Sequence, residues 1–195
     1  MPDEAPEEFQ GAIERLRAVR LRPEVVLEEV PAHKRIAPPA AVRERRAGRA
    51  GHGSPRSDIE YLLETPVGEE ARLATAAEID ERLGGLIGPA ITLLACGHSH
   101  VPRSVRTASG LLIVNPGSVG LQAYDDDHPC LHSSYHRIET GGTDARYAVV
   151  EKRNGRWTCD LIGVPYDFES MALLADQRQR PDWAYALRTG HMPRA

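Results

Sequence analysis

The sequence predicts a mixed α/β fold, and three observations support this prediction. Two continuous apolar runs, at residues 91–95 and 111–114, are typical of strands that are covered on both faces. Thr75 and Glu78 have the spacing of a capping box, which marks the start of a helix. Asn154 followed by Gly155 separates two strand-like segments and predicts a hairpin. Helices and buried strands therefore alternate first, and an antiparallel hairpin follows.

Composition places the chain among globular proteins. Its 195 residues are enough for one domain with a core, and 41% of them are hydrophobic. No apolar run approaches the roughly 18 residues that a membrane helix requires. The net charge is −4, so the chain as a whole has no electrostatic attraction to nucleic acid or anionic lipid.

The cysteines and the N-terminus indicate a cytoplasmic protein. Cys96, Cys130 and Cys159 are odd in number and far apart, which argues against a disulfide framework. The first residues are acidic and lack the apolar stretch of a secretory signal.

Residues 1–50 differ in composition from residues 51–195. Residues 7–22 predict a helix that ends before Pro23, and a loose segment rich in proline and arginine follows. Six basic residues between positions 34 and 49 leave nucleic-acid binding as a remote alternative, because such a run is usually a solvated segment. Residues 43–50 are too polar for an apolar strand.

The remaining elements are predicted in order from residue 51 onward. A short helix at 58–63 follows a turn, and the capped helix ends at Leu83, before Gly84 and Gly85. Four strands are expected at 91–95, 111–114, 145–152 and 156–164, and two helices at 168–176 and 182–187.

The tetrapeptide from Gly97 to His100 directly follows the first apolar strand. Ligand groups in open α/β sheets gather beyond the carboxyl ends of strands, which is where His98 and His100 fall. Two imidazoles one residue apart on an extended loop suit one metal ion or two adjacent ions. A His-x-His pair also arises by chance on surfaces, so the surrounding loops must decide between these readings.

Two further loops are expected at the same edge of the sheet. His52 lies between two glycines, which favours a side chain held at a functional site over one buried in the hydrophobic core. A turn from Asn115 to Ser118 follows the second apolar strand. The sequence thus predicts that three loops converge.

Together these motifs resemble the calcineurin-like metallophosphoesterase superfamily, particularly its small bacterial and archaeal phosphodiesterases. Those proteins carry His-Gly-Ser-Pro, Gly-His-Ser/Thr-His and Asn-Pro-Gly-Ser in the order found here. The stretch from Val164 to Asp167 is also similar, so the resemblance covers residue 51 to the C-terminus. It implies a two-sheet β-sandwich flanked by helices, of which this chain holds the C-terminal part.

The resemblance also implies a site and a reaction. His52 and His98 match ligands of one metal ion and His100 matches a ligand of a second, with manganese, iron, zinc, nickel or cobalt as the family's metals. The implied activity is hydrolysis of phosphomonoesters or phosphodiesters by a metal-activated water. Gly97 and the Asn115 turn match positions that shape the site.

Three family motifs are missing from the chain. The family's Asp-x-His, Gly-Asp and Gly-Asn-His motifs all precede the first histidine loop, but Asp3 is the only aspartate before Asp58, and Asn115 is the first asparagine. The sequence therefore reads as the C-terminal part of a phosphoesterase whose start was lost by truncation or by a misread frame. The absent strands predict exposed sheet edges and hence self-association.

The same residues leave alternatives to an active phosphoesterase. One is an inactive remnant that binds a metal ion weakly or associates with a partner. An amidohydrolase barrel, which also uses His-x-His, is rejected because it needs about 250 residues with this motif near the start.

A polar insertion is expected between the second apolar strand and residue 145. His128, His132 and His136 are spaced as on one helix face, but Pro129 argues against a continuous helix. Asp125 to Asp127 predict a solvated acidic loop near the cleft. Tyr61 is interpreted as a core or interface aromatic.

Overall fold

A computed structural model describes residues 48–126 and 135–194. The predicted helix at 7–22, the loose segment before residue 48, Cys130, His128 and His132 lie outside the described residues. None of the helices in the described ranges has the length and apolar content needed to cross a membrane.

The described residues form ten strands and three helices. The strands are β1 (Gly48–Ala50), β2 (Glu64–Val67), β3 (Glu70–Leu73), β4 (Leu93–Ala95), β5 (Arg103–Arg106), β6 (Leu112–Asn115), β7 (Ala123–Asp126), β8 (His136–Glu139), β9 (Ala145–Arg153) and β10 (Arg156–Val164). The helices are α1 (Ala76–Leu83), α2 (Phe168–Gln177) and α3 (Pro181–Thr189). The predicted mixed α/β class is confirmed, as are the two apolar strands, the hairpin and the last two helices.

A four-stranded sheet with the order β1-β4-β6-β5 lies at the centre of the described residues. Strands β1, β4 and β6 are parallel, and β5 pairs with β6 in the antiparallel direction. The pairs β2–β3, β7–β8 and β9–β10 form three separate two-stranded sheets. The two-sheet sandwich implied by the resemblance is therefore not confirmed by the described strands.

Both faces of the central sheet are covered, as the two apolar runs predict. On one face, Leu94 and Ile113 pack with Leu62, Leu63 and Ile79, which come from the segment before β2 and from α1. On the other face, residues of β4 and β6 pack against the β9–β10 hairpin, chiefly through its buried Trp157. Alternate side chains of each strand thus enter different cores.

Two predictions about local structure are wrong. Residues 58–63 form turns and bends instead of a helix, because the backbone N–H and the hydroxyl of Ser54 both bond Glu60 and close a compact loop. The polar stretch at 43–50 does contain a strand over its last three residues, Gly48–Ala50. An edge strand this short needs only its backbone pairing with β4, so it requires no apolar run.

The capping box of α1 is confirmed. The Thr75 hydroxyl accepts a hydrogen bond from the Glu78 backbone N–H, and the Glu78 carboxylate accepts one from the Thr75 N–H at 2.6 Å. Gly84 ends the helix in the left-handed conformation. Helix α1 is therefore closed at both ends by residues that the sequence identifies.

Loss of this cap has a measurable cost. We expect Thr75→Ala to lower the free energy of unfolding by about 1 kcal/mol, because a helix N–H loses its acceptor. Urea denaturation provides the measurement. The control is Thr75→Ser, which keeps the hydroxyl; an equal loss in both variants would contradict the role of the cap.

Candidate functional site

Three loops leave the central sheet at one edge. The parallel strands β1, β4 and β6 end in register, with Ala50 paired to Ala95 and Ala95 paired to Val114. The histidine loops after β1 and β4 and the turn that begins at Asn115 therefore start side by side. The predicted convergence of the three loops is confirmed.

Short backbone contacts tie the loops together. The Gly97 N–H donates to the His52 carbonyl at 2.7 Å, and a Cβ at Gly97 would lie 3.4 Å from that oxygen. The Asn115 side-chain amide donates to the Gly97 carbonyl at 2.9 Å and to the Ser99 hydroxyl at 3.0 Å. Asn115 is buried, so these bonds fix the loop after β4 from inside the protein.

The two histidines of the loop after β4 have an unusual backbone conformation. His98 has φ +64° and His100 has φ +58°, in the left-handed region that side chains disfavour. Each such residue costs roughly 1–3 kcal/mol, and such residues cluster at functional sites. Contacts of the surrounding loops must therefore hold both residues in place.

The imidazole rings of His52 and His98 lie close together, and the rings of His98 and His100 are each anchored by a backbone carbonyl. The rings of His52 and His98 have centroids 5.1 Å apart. Nε2 of His98 lies 3.1 Å from the Ile59 carbonyl, and Nδ1 of His100 lies 2.9 Å from the Leu121 carbonyl. When these nitrogens donate to the carbonyls, the opposite nitrogen of each ring keeps its lone pair. Metal-binding histidines are commonly held in this way.

The surroundings favour the neutral form of both anchored rings. Burial lowers the pKa of His98 to about 4, and the nearby His52 contributes to the shift. Burial also lowers the pKa of His100, although its hydrogen bond to the Leu121 carbonyl acts in the opposite direction. A neutral imidazole is the form that binds a metal ion.

The histidines fit part of a metal site and not a complete one. Among residues 48–126 and 135–194, no three His, Cys, Asp or Glu side chains are arranged to hold one metal ion. Two buried or partly buried carboxylates in this region have other partners, since Glu64 is bound by Arg103 and Asp126 accepts a hydrogen bond from Tyr61. The described residues thus bring imidazole nitrogens to this edge without a complete set of three metal-binding side chains.

Sequence reasoning did not identify the tyrosines beside the histidines. Tyr61 is buried, as predicted, but its ring also lies against His98, with centroids 4.9 Å apart. The ring of Tyr124 lies 5.0 Å from that of His100. Burial raises the pKa of both tyrosine hydroxyls, so they stay protonated at neutral pH.

The polar insertion also contributes to this cluster. His136 begins strand β8, is buried, and places Nε2 3.2 Å from the Tyr61 hydroxyl. Asp126 belongs to β7 and accepts a hydrogen bond from the same hydroxyl at 3.0 Å. Part of the predicted acidic loop is therefore a strand that packs beside the site.

Comparison with protein families gives one match. The family described as "Protein of unknown function (DUF3000)" matches residues 5–58. No curated protein matches the chain.

Solved structures are also similar to the chain. A metallophosphoesterase from Sphaerobacter thermophilus is similar at 22% identity and a TM-score of 0.49, covering 74% of this chain and 55% of its own. The hypothetical protein PH1004 from Pyrococcus horikoshii OT3 is similar at 18% identity and a TM-score of 0.46, covering 74% and 46%. The chain spans about half the length of these proteins.

Proposed function

We propose that residues 51–195, together with strand β1 at Gly48–Ala50, form the C-terminal part of a metal-dependent phosphoesterase domain, and that the residues before 48 are a separate N-terminal segment. The substrate class is a phosphomonoester or phosphodiester. The observation that carries this proposal is the adjacency of His52 and His98, whose ring centroids are 5.1 Å apart at the edge where three motif-bearing loops meet.

Each histidine has a role in the proposal. His52 and His98 bind one divalent ion, of manganese, iron, zinc, nickel or cobalt, and His100 binds a second. Such ions lower the pKa of bound water and stabilise charge on phosphoryl oxygens. The carbonyls of Ile59 and Leu121 fix the orientations of the His98 and His100 rings.

The incomplete ligand set favours a second candidate. With no group of three metal ligands among the described residues, the same edge can act as a weak metal-binding module without turnover. Strand β1 is the outer strand of the described central sheet. In this second candidate, the chain also self-associates by pairing along the open side of β1.

One experiment separates the two candidates. The full chain is titrated with Zn²⁺ by calorimetry and assayed with Mn²⁺ against p-nitrophenyl phosphate and its bis ester. Metal-dependent turnover supports the enzyme, whereas stoichiometric binding without turnover supports the module. Absence of binding contradicts both.

A histidine variant tests the location of the site. Loss of a residue that hydrogen-bonds a metal ligand lowers metal affinity roughly 10–100-fold. Because His98→Gln removes the ligand itself, we expect it to lower Zn²⁺ affinity by more than this. The matched control is His191→Gln, which changes an exposed histidine beside Glu139. Equal affinity in the two variants would place the metal elsewhere.

A further inference from the structure

Two tyrosines form a hydrogen-bonded layer behind the histidine loop. The Tyr124 hydroxyl lies 3.0 Å from the His98 carbonyl and 2.9 Å from the Tyr61 hydroxyl, and can donate to either. The Tyr61 hydroxyl in turn donates to Asp126 at 3.0 Å. Tyr124 on β7 thus reaches the backbone of His98 directly, and Tyr61, from the segment before β2, is bonded to Tyr124.

The rings of the same tyrosines contact the imidazoles. Tyr61 lies against the His98 ring at a centroid distance of 4.9 Å and an interplanar angle of 34°. Tyr124 meets the His100 ring edge-on at 5.0 Å. The two tyrosines therefore touch both the backbone and the ring of His98, and the ring of His100.

The left-handed backbone of His98 and His100 requires such support. A histidine at positive φ returns to a common conformation unless its neighbours hold it. The Tyr124 hydroxyl engages the carbonyl of His98, and the Tyr61 ring limits where its imidazole can lie. A change of backbone conformation at His98 would turn that imidazole away from His52.

We propose that Tyr61 and Tyr124 are positioning residues that hold His98 in its left-handed conformation, with its ring beside His52. The inference deepens the proposed function and rests on it for its significance. Its geometric content, the placement of one imidazole beside another, applies to the metal-free chain as well.

The test compares Tyr124→Phe with wild-type protein. The variant keeps the ring against His100 and removes only the hydroxyl that binds the His98 carbonyl. In the metal-free full chain we expect loss of the nuclear Overhauser contact between the His52 and His98 rings, which are adjacent in the structure. Zn²⁺ affinity should fall about 10-fold or more. Tyr61→Phe keeps the ring against His98 and leaves the Tyr124 hydroxyl free to donate to the His98 carbonyl, so it should preserve the ring contact.

The matched control is Tyr185→Phe, which removes a tyrosine hydroxyl from the exposed face of α3. It should leave both the ring contact and Zn²⁺ affinity unchanged. An intact ring contact in Tyr124→Phe, or its absence from wild-type protein, would overturn the positioning role. If wild-type protein binds no Zn²⁺ but Tyr124→Phe still loses the ring contact, the metal-binding proposal fails and the positioning role stands.

Discussion

We expect Gly53→Ala to lose most of its Zn²⁺ binding, whereas Gly51→Ala keeps it. A Cβ at Gly53 would lie 2.5 Å from the Ser57 carbonyl oxygen and 2.6 Å from that of Asp58. Both are backbone atoms, which cannot rotate away as a flexible side chain can. The loop that begins at His52 must therefore shift, and it carries the imidazole with it.

The two glycines that flank His52 make this a controlled experiment. A Cβ at Gly51 meets nothing within 4 Å, so the same substitution there adds a methyl group without a clash. For Gly53→Ala we expect a loss of about 1–3 kcal/mol in unfolding free energy from overpacking. We also expect a decrease of about 10-fold or more in Zn²⁺ affinity. Calorimetric titration and urea denaturation measure the two effects. Wild-type affinity in Gly53→Ala would show that the loop shape does not place His52.

The parts of the fold that sequence predicts are those whose signals are local. Strands β4 and β6 are continuous apolar runs because both of their faces are buried, and Leu93 and Leu94 enter opposite cores. The turn at Asn154 and Gly155 and the cap at Thr75 depend on the chemistry of a few adjacent residues.

The strands that sequence missed are short and polar. Strand β5 has the sequence Arg-Ser-Val-Arg and exists because β6 offers a pairing edge, and β2 contains Pro66. Neither segment has a periodicity that sets it apart from a loop. Their conformation comes from tertiary pairing, which a local pattern does not encode.

The residues of the candidate site also fall into those that local sequence motifs reveal and those that only long-range contacts reveal. His52, His98 and His100 could be found because each stands in a recognisable loop motif after a strand. The roles of Tyr61 and Tyr124 could not be found, because they depend on hydrogen bonds that span 63 and 26 residues of sequence. The sequence around a buried tyrosine does not indicate whether its hydroxyl bonds to a functional site or to other core residues.

Arg103→Met should be among the most destabilising substitutions in the described part of the chain. Arg103, on β5, donates two hydrogen bonds to the carboxylate of Glu64, which is only 1% exposed at the start of β2. Removing the guanidinium leaves a buried charge without its partner, which costs about 3–5 kcal/mol.

Burial already raises the pKa of Glu64, and the bound Arg103 opposes that shift. Without Arg103 the carboxyl keeps its proton to higher pH, so the destabilisation should be smaller near pH 5 than near pH 8.

The double variant Glu64→Leu with Arg103→Met identifies the cause of this loss. It removes both charges and fills the space with apolar atoms, a change that is often neutral or stabilising in proteins. Because the uncompensated carboxylate is absent, we expect the double variant to recover at least half of the stability lost in Arg103→Met, with little pH dependence between pH 5 and 8 in urea denaturation. If it is as unstable as the single variant, the stability of this contact comes from the packing of the arginine stem, and the ion pair serves only to fix the position of β2 against the central sheet.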